Sequence, residues 1–224
     1  KVAQQLRQGL DSRTDFVGRV QDLLQNQISD VPEALHLAAL PKKTPQEILR
    51  LQTGDSVDQA TLGRALLRAV GMDALFVLVA RRGSFAEVPD LPTPAPFNHV
   101  LLAIPQGGRF TFIDPTSPHL PAGRLPGGLQ GQRGLLVRPK SGELVDLPID
   151  APSDNASRLR FEMHLSEDGL VSGQLIAELG GLDAAKARVL LDDPGPASGQ
   201  SLQRWLLSSL APAVSFGDVR VMTT

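Results

Sequence analysis

The chain has 224 residues, 42% of them hydrophobic, which is enough apolar material for one medium domain and a smaller companion. Its 22 basic residues are dispersed among 24 acidic ones, for a formal net charge of −2. That pattern gives nucleic acid no footprint, and no apolar run reaches membrane-spanning length. Cysteine is absent, which excludes disulfides, thiolate metal sites and thiol catalysis together.

In chain order, the first expectation is helical. Residues Val2 to Ile28 carry Phe16, Val20, Leu23 and Leu24 as an apolar stripe, which predicts a pair of packing helices. The next start signal is Thr44-Pro45-Gln46-Glu47, with threonine as N-cap, proline in the first turn and glutamate three residues after the cap. Gly54-Asp55 then marks a sharp turn into a helix whose apolar residues Leu62, Ala65, Leu66, Ala69 and Val70 recur at helical spacing, with Gly71 as the stop. Ser56 therefore falls at or beside a helix N-terminus, where unpaired N–H groups and the positive end of the dipole favour developing negative charge. Asp58 reads first as a structural residue that caps the helix or pairs with Arg50 or Arg81.

Ala74 to Ala80 is a nearly continuous apolar run and predicts a strand buried on both faces. Ser84 to Pro96 reads as a long loop beside the site. Phe97 to Ile104 and Arg109 to Thr116 are β-rich runs around Pro105-Gln106-Gly107-Gly108, which predicts a hairpin. A turn centred between Gln106 and Gly107 sets His99 opposite Asp114, with Cβ atoms roughly 4.5–5.5 Å apart. A turn centred one residue later makes them diagonal neighbours on the same face. In both registers the imidazole reaches the carboxylate.

Ser117 to Pro152 is rich in glycine and proline. It lacks the lysine-serine ending and preceding strand of a phosphate-cradling loop. From Arg158 to Leu165 the chain alternates cleanly, with Leu159, Phe161, Met163 and Leu165 on one face. A loop at Glu167-Asp168-Gly169 pairs Leu165 with Val171 and Phe161 with Leu175. Helical runs at Asp183 to Leu191 and Gln200 to Leu210 follow, then strand-like Val219-Arg220-Val221-Met222.

Three of these stretches together resemble the transglutaminase-like superfamily, the bacterial and archaeal relatives of transglutaminases and papain-type cysteine proteases. The family's nucleophile segment runs Gly-x-Cys-x-Asp-x-Ala-x-Leu into a helix. Gly54, Asp58, Ala60, Leu62, Leu66, Leu67, Arg68, Ala69 and Gly71 match it, whereas the family's cysteine is Ser56 here. Phe97-Asn98-His99-Val100 resembles the strand that carries the family's histidine, and Ile113-Asp114-Pro115-Thr116 resembles the strand end that carries its aspartate. The family also has a comparable glycine-rich passage, which implies a short strand at Gly134-Leu135-Leu136-Val137.

The resemblance implies an α+β fold: a papain-like, transglutaminase-like core over residues 1–140, with N-terminal helices packed on an antiparallel sheet, followed by a β-rich module over 150–224. It also implies a catalytic set of Ser56, His99 and Asp114, in which the histidine takes the nucleophile's proton, the aspartate orients the imidazole and helix-start N–H groups hold the oxyanion. A serine gains far less from such a seat than a cysteine, whose thiol ionises there.

Ser56 therefore has several readings: a natural loss of activity, an engineered replacement of an active cysteine, a working serine hydrolase, or a residue that only caps the helix. The leading expectation is a catalytically silent domain that serves peptide or protein binding, or architecture, in a larger bacterial periplasmic or cell-envelope protein. The alternative is a cysteine protease, amidase or transglutaminase that works through a thioester and has lost its cysteine. No cofactor is expected, and no metal, because the histidines and carboxylates lack ligand spacing. His36, His119 and His164 show no evident partners, and Gln46 and Gln52 are candidates for a further oxyanion donor by proximity alone. No signal peptide is visible. Starting at Lys1, the sequence reads as a fragment or processed chain, with the second module continuing past Thr224.

Overall fold

A computed structural model of the chain describes residues 1–31, 43–81, 97–192 and 197–207, and these fall into two compact units that divide after Asp150. The expected loop at Ser84 to Pro96, His36 and the strand-like Val219 to Met222 lie outside the described residues. The class is mixed α and β, with a five-stranded antiparallel sheet and helices.

The first unit opens with α1 (Val2–Arg7) and α2 (Arg13–Gln27). Ser12 starts α2 by accepting the Asp15 N–H at 3.0 Å, and the expected stripe Phe16, Val20, Leu23 and Leu24 is buried. A two-residue strand, β1 (Ser29–Asp30), follows. Helix α3 (Pro45–Leu51) begins at the expected capping box: Thr44 Oγ1 accepts the Glu47 N–H at 3.3 Å, and Glu47 Oε2 accepts the Thr44 N–H at 2.8 Å. Replacing Thr44 with alanine removes one orphan donor's acceptor, and thermal melts are expected to record a loss of about 1 kcal/mol.

β2 (Thr53–Gly54) pairs in parallel with β1, Asp30 lying opposite Gly54, and leads directly into α4 (Ser56–Arg68). Helix α4 buries Leu62, Leu66 and Leu67, and the chain reverses at Gly71, whose φ of +76° needs no Cβ.

The sheet has the order β5-β4-β3-β6-β7, built from β3 (Leu75–Val79), β4 (His99–Gln106), β5 (Arg109–Ile113), β6 (Arg133–Arg138) and β7 (Ser141–Asp146). The strand buried on both faces is β4, where every residue from His99 to Ile104 is buried. β3 instead alternates: Leu75, Val77 and Val79 are buried, while Phe76 and Leu78 are half-buried. The reason is where the helices land. α4 packs on β4 closely enough that a Cβ on Gly63 would sit 2.8 Å from Leu102 and 2.7 Å from Leu24 of α2, while Phe76 is covered by the Arg64 guanidinium at 4.8 Å.

The helices and one sheet face enclose a core of Leu24, Ile48, Leu62, Leu67, Leu102 and Ile113. On the opposite face Val77, Leu101 and Leu136 pack under Leu125, Leu129 and Leu147 of the glycine- and proline-rich connections. That region also supplies β7, a strand with no counterpart among the elements expected from the sequence.

The second unit carries the expected hairpin and two helices that overlap the expected helical runs. After a 3₁₀ turn at Pro152–Asn155 come two strands, β8 (Arg158–Leu165) and β9 (Val171–Glu178), then two helices, α5 (Gly181–Leu191) and α6 (Ala197–Leu207). Its described residues are thus ββαα, because Ala184, Ala185, Lys186, Ala187 and Arg188 are strong helix formers. The hairpin register is the expected one, Leu165 opposite Val171 and Phe161 opposite Leu175, with Gly169 at φ +82° in the turn.

Candidate functional site

Ser56 is the first residue of α4, and the cap is its neighbour: Asp55 Oδ1 accepts the Asp58 N–H at 2.9 Å. Ser56 is therefore not the capping residue. The N–H groups of Ser56 and Val57, in the first turn, donate to no acceptor among the described residues. They are aimed, like all first-turn donors, along the positive end of the helix.

The approach to Ser56 is tightly held. The Gly54 carbonyl accepts from Gln59 Nε2 at 3.1 Å and from the Val31 N–H at 3.3 Å, and a Cβ on Gly54 would lie 2.7 Å from Asp58 Cβ. Asp58 itself pairs with Lys43, Nζ to Oδ2 at 2.7 Å, and accepts the Lys43 N–H at 3.2 Å. The expected partners, Arg50 and Arg81, are thereby corrected. Lys43 directly precedes the α3 cap, so it reaches the start of α4 from the lead-in to the neighbouring helix.

The β4–β5 turn centres on Gly107 and Gly108, with φ of +57° and +81°, the two left-handed positions that a tight hairpin turn requires. The register is therefore the later of the two anticipated: Gln106 faces Arg109, and the last rung is Leu102 to Ile113. Asp114 sits past that rung, diagonal to His99, and the pair meets: His99 Nε2 lies 2.9 Å from Asp114 Oδ1, with both side chains buried. Beyond the end of the β4–β5 ladder, the Val100 N–H donates to Ser56 Oγ at 3.3 Å. The hydroxyl makes no hydrogen bond to the imidazole.

Asp114 is surrounded by donors. Its Oδ1 accepts the Thr116 N–H at 3.0 Å and the Thr116 hydroxyl at 3.1 Å, its Oδ2 accepts the Ser117 hydroxyl at 2.7 Å, and the Arg81 Nη2 stands 3.6 Å from Oδ2. Complete burial pushes the carboxyl upward. The hydrogen bond and charge of His99, with Ser117 and the Thr116 N–H, outweigh it and bring the group down from 3.8 to about 2. An ionised carboxylate only accepts, so Nε2 of His99 carries the proton and Nδ1 is the acceptor of the neutral ring. Arg81 closes the far side: its Nη2 donates to Thr116 Oγ1 at 2.8 Å and stands 3.3 Å from His99 Nε2, while its main-chain N–H donates to Asn98 Oδ1 at 2.8 Å.

Sequence reading missed two glutamines on α2. Gln25 Nε2 donates to the Asp114 carbonyl at 2.8 Å, and Gln21 Nε2 to the Leu120 carbonyl at 2.8 Å. Both lie on the buried stripe of α2, one turn apart, and a polar residue inside an apolar period was the signal available.

Gln46 and Gln52 are exposed on and after α3 and bond neither Ser56 nor His99. His164 is exposed on β8, and His119 sits at φ +61° outside the cluster. No group of three or more metal-ligating side chains occurs among the described residues, and no helix there is long and apolar enough to cross a membrane. A cleft of about 540 Å³ lies at the other end of β4, lined by Arg13, Met72, Asp73, Pro105 and Gln106; it holds none of the three site residues. No family model, curated protein or solved structure matches the chain.

Proposed function

We propose that residues 1–150 form a transglutaminase-like domain in which Ser56, His99 and Asp114 are the serine version of a Cys-His-Asp triad, catalytically silent and retained to bind a peptide or protein segment. The observation that carries this reading is the buried His99–Asp114 pair at the head of β4, one residue before the N–H that holds the Ser56 hydroxyl. The same corner supports silence. The serine oxygen accepts from Val100 and is not hydrogen-bonded to the base that would have to remove its proton. By the same resemblance, the setting is a larger protein of the bacterial periplasm or cell envelope.

A second reading, an amide acyl-transfer enzyme whose cysteine stands replaced by serine, draws support from the ionised Asp114 and from the first-turn N–H groups of α4. A thiolate at position 56 would add to the amide carbonyl, and the imidazolium would protonate the leaving amine as the C–N bond breaks. The resulting thioester would pass to water or to a second amine.

The deciding experiment restores the thiol. In Ser56→Cys, alkylation by iodoacetamide at neutral pH is expected to run about tenfold or more above that of a free thiol, and to fall back when His99→Ala is added. A thiol that behaves alike with and without His99 overturns the triad and leaves a pair that only buttresses the hairpin. Amide turnover by Ser56→Cys, absent with Ser56, would favour the enzyme reading over the silent one, as would a cysteine codon in the natural gene.

A further inference from the structure

One carboxylate beside Ser56 is left over by the contacts described above. Asp58 is bound by Lys43, Asp114 by His99 with Arg81 alongside, and Asp55 caps α4. Asp30 makes no hydrogen bond or ion pair among the described residues. It is fixed in place by main chain alone. Opposite Gly54 in the parallel β1–β2 bridge, it is flanked by the Ser29 N–H donating to the Gln52 carbonyl at 2.8 Å and the Val31 N–H donating to the Gly54 carbonyl at 3.3 Å. Gly54 is two residues before Ser56, so the bridge sets Asp30 alongside the entry to α4.

We propose that Asp30 makes the mouth over Ser56 selective for cations, so that the peptide bound there presents a lysine or arginine side chain above β1. This rests on the reading of Ser56, His99 and Asp114 as a peptide site. Asp30 is solvent-exposed, as a group that meets a ligand must be. It is also flanked by protein. Burial, the largest influence, holds its carboxyl above the ordinary range against the lowering effect of Arg81 and His99, and Asp114 and Asp55 add to the rise. Solvent thus reaches the carboxylate while Arg81, His99, Asp114 and Asp55 act on it, and a ligand cation there meets a weaker dielectric screen than on an open surface. Asp55, Asp58 and Asp114 are buried, so Asp30 is the carboxylate of this group that an incoming ligand can reach.

The test uses the full chain with Ser56→Cys as reporter and three methanethiosulfonates as probes: methyl (neutral), aminoethyl (cationic) and sulfonatoethyl (anionic). At neutral pH and low salt, the ratio of cationic to anionic rates at the introduced thiol is expected to exceed that of a free thiol. Asp30→Asn is expected to lower it by about fivefold, and Asp30→Glu to keep it. Both variants leave the β1–β2 main-chain bridge untouched. If the introduced thiol reacts with the neutral probe but Asp30→Asn leaves the ratio unchanged, the Asp30 inference is overturned while the site stands. If the folded protein resists even the neutral probe, the peptide-site reading falls and takes the inference with it.

Discussion

Replacing Asp114 with alanine is expected to destabilise the first unit by about 3–5 kcal/mol, read from urea denaturation at pH 7. The carboxylate is wholly buried and serves His99, Thr116 and Ser117 at once, with Arg81 close by. Truncation leaves those donors facing one another with no acceptor between them. The pH dependence follows from a folded value of about 2 against an ordinary 3.8. A depressed carboxyl contributes stability that is complete above the unfolded value and is lost as pH falls through the folded one. The wild type is therefore expected to lose on the order of 2 kcal/mol between about pH 5 and pH 1 that the alanine variant does not lose. A stability difference that stays constant over that interval would mean that folding does not lower the carboxyl's pKa, and one that grows as pH falls would mean that folding raises it.

Leu102→Ala is the second large effect, expected at about 2–5 kcal/mol. Leu102 is fully buried at the centre of β4, where α4 descends on the sheet at Gly63. The same contact predicts non-additivity. A Cβ on Gly63 would press on a methyl of Leu102 at 2.8 Å. Once that methyl is gone, Gly63→Ala has only the Leu24 methyl at 2.7 Å left to displace, and the double variant is expected to be more stable than the two single losses combined would give. Strict additivity in a double-mutant cycle would show that α4 adjusts its distance from the sheet instead.

Some of the site could be read directly from residue order. The Thr44 box, the position of Ser56 at the start of α4 and the meeting of His99 with Asp114 rest on local rules: capping chemistry, a 3.6-residue period and a hairpin. Of the two turn registers the later one forms, because two adjacent glycines can both adopt left-handed backbone, whereas Gln106 with Gly107 is the poorer pair. What escaped was long-range. Nothing near Asp58 in the chain points to Lys43 rather than to Arg81. The carbonyls that Gln21 and Gln25 serve lie 99 and 89 residues further along the chain, where no local rule reaches. In the second unit, alternation located β8 and β9 but was silent on burial: Met163 and Leu165 remain largely exposed on the hairpin.

The link from Gln25 to the Asp114 carbonyl spans 89 residues of chain. During synthesis, α2 leaves the ribosome long before the strand end it must grip, so this corner cannot close until those further residues have been made. Until Asp114 arrives, the two amide groups of α2 are left to water and the apolar stripe between them lies open, an interval in which a chaperone or a protease would find its target.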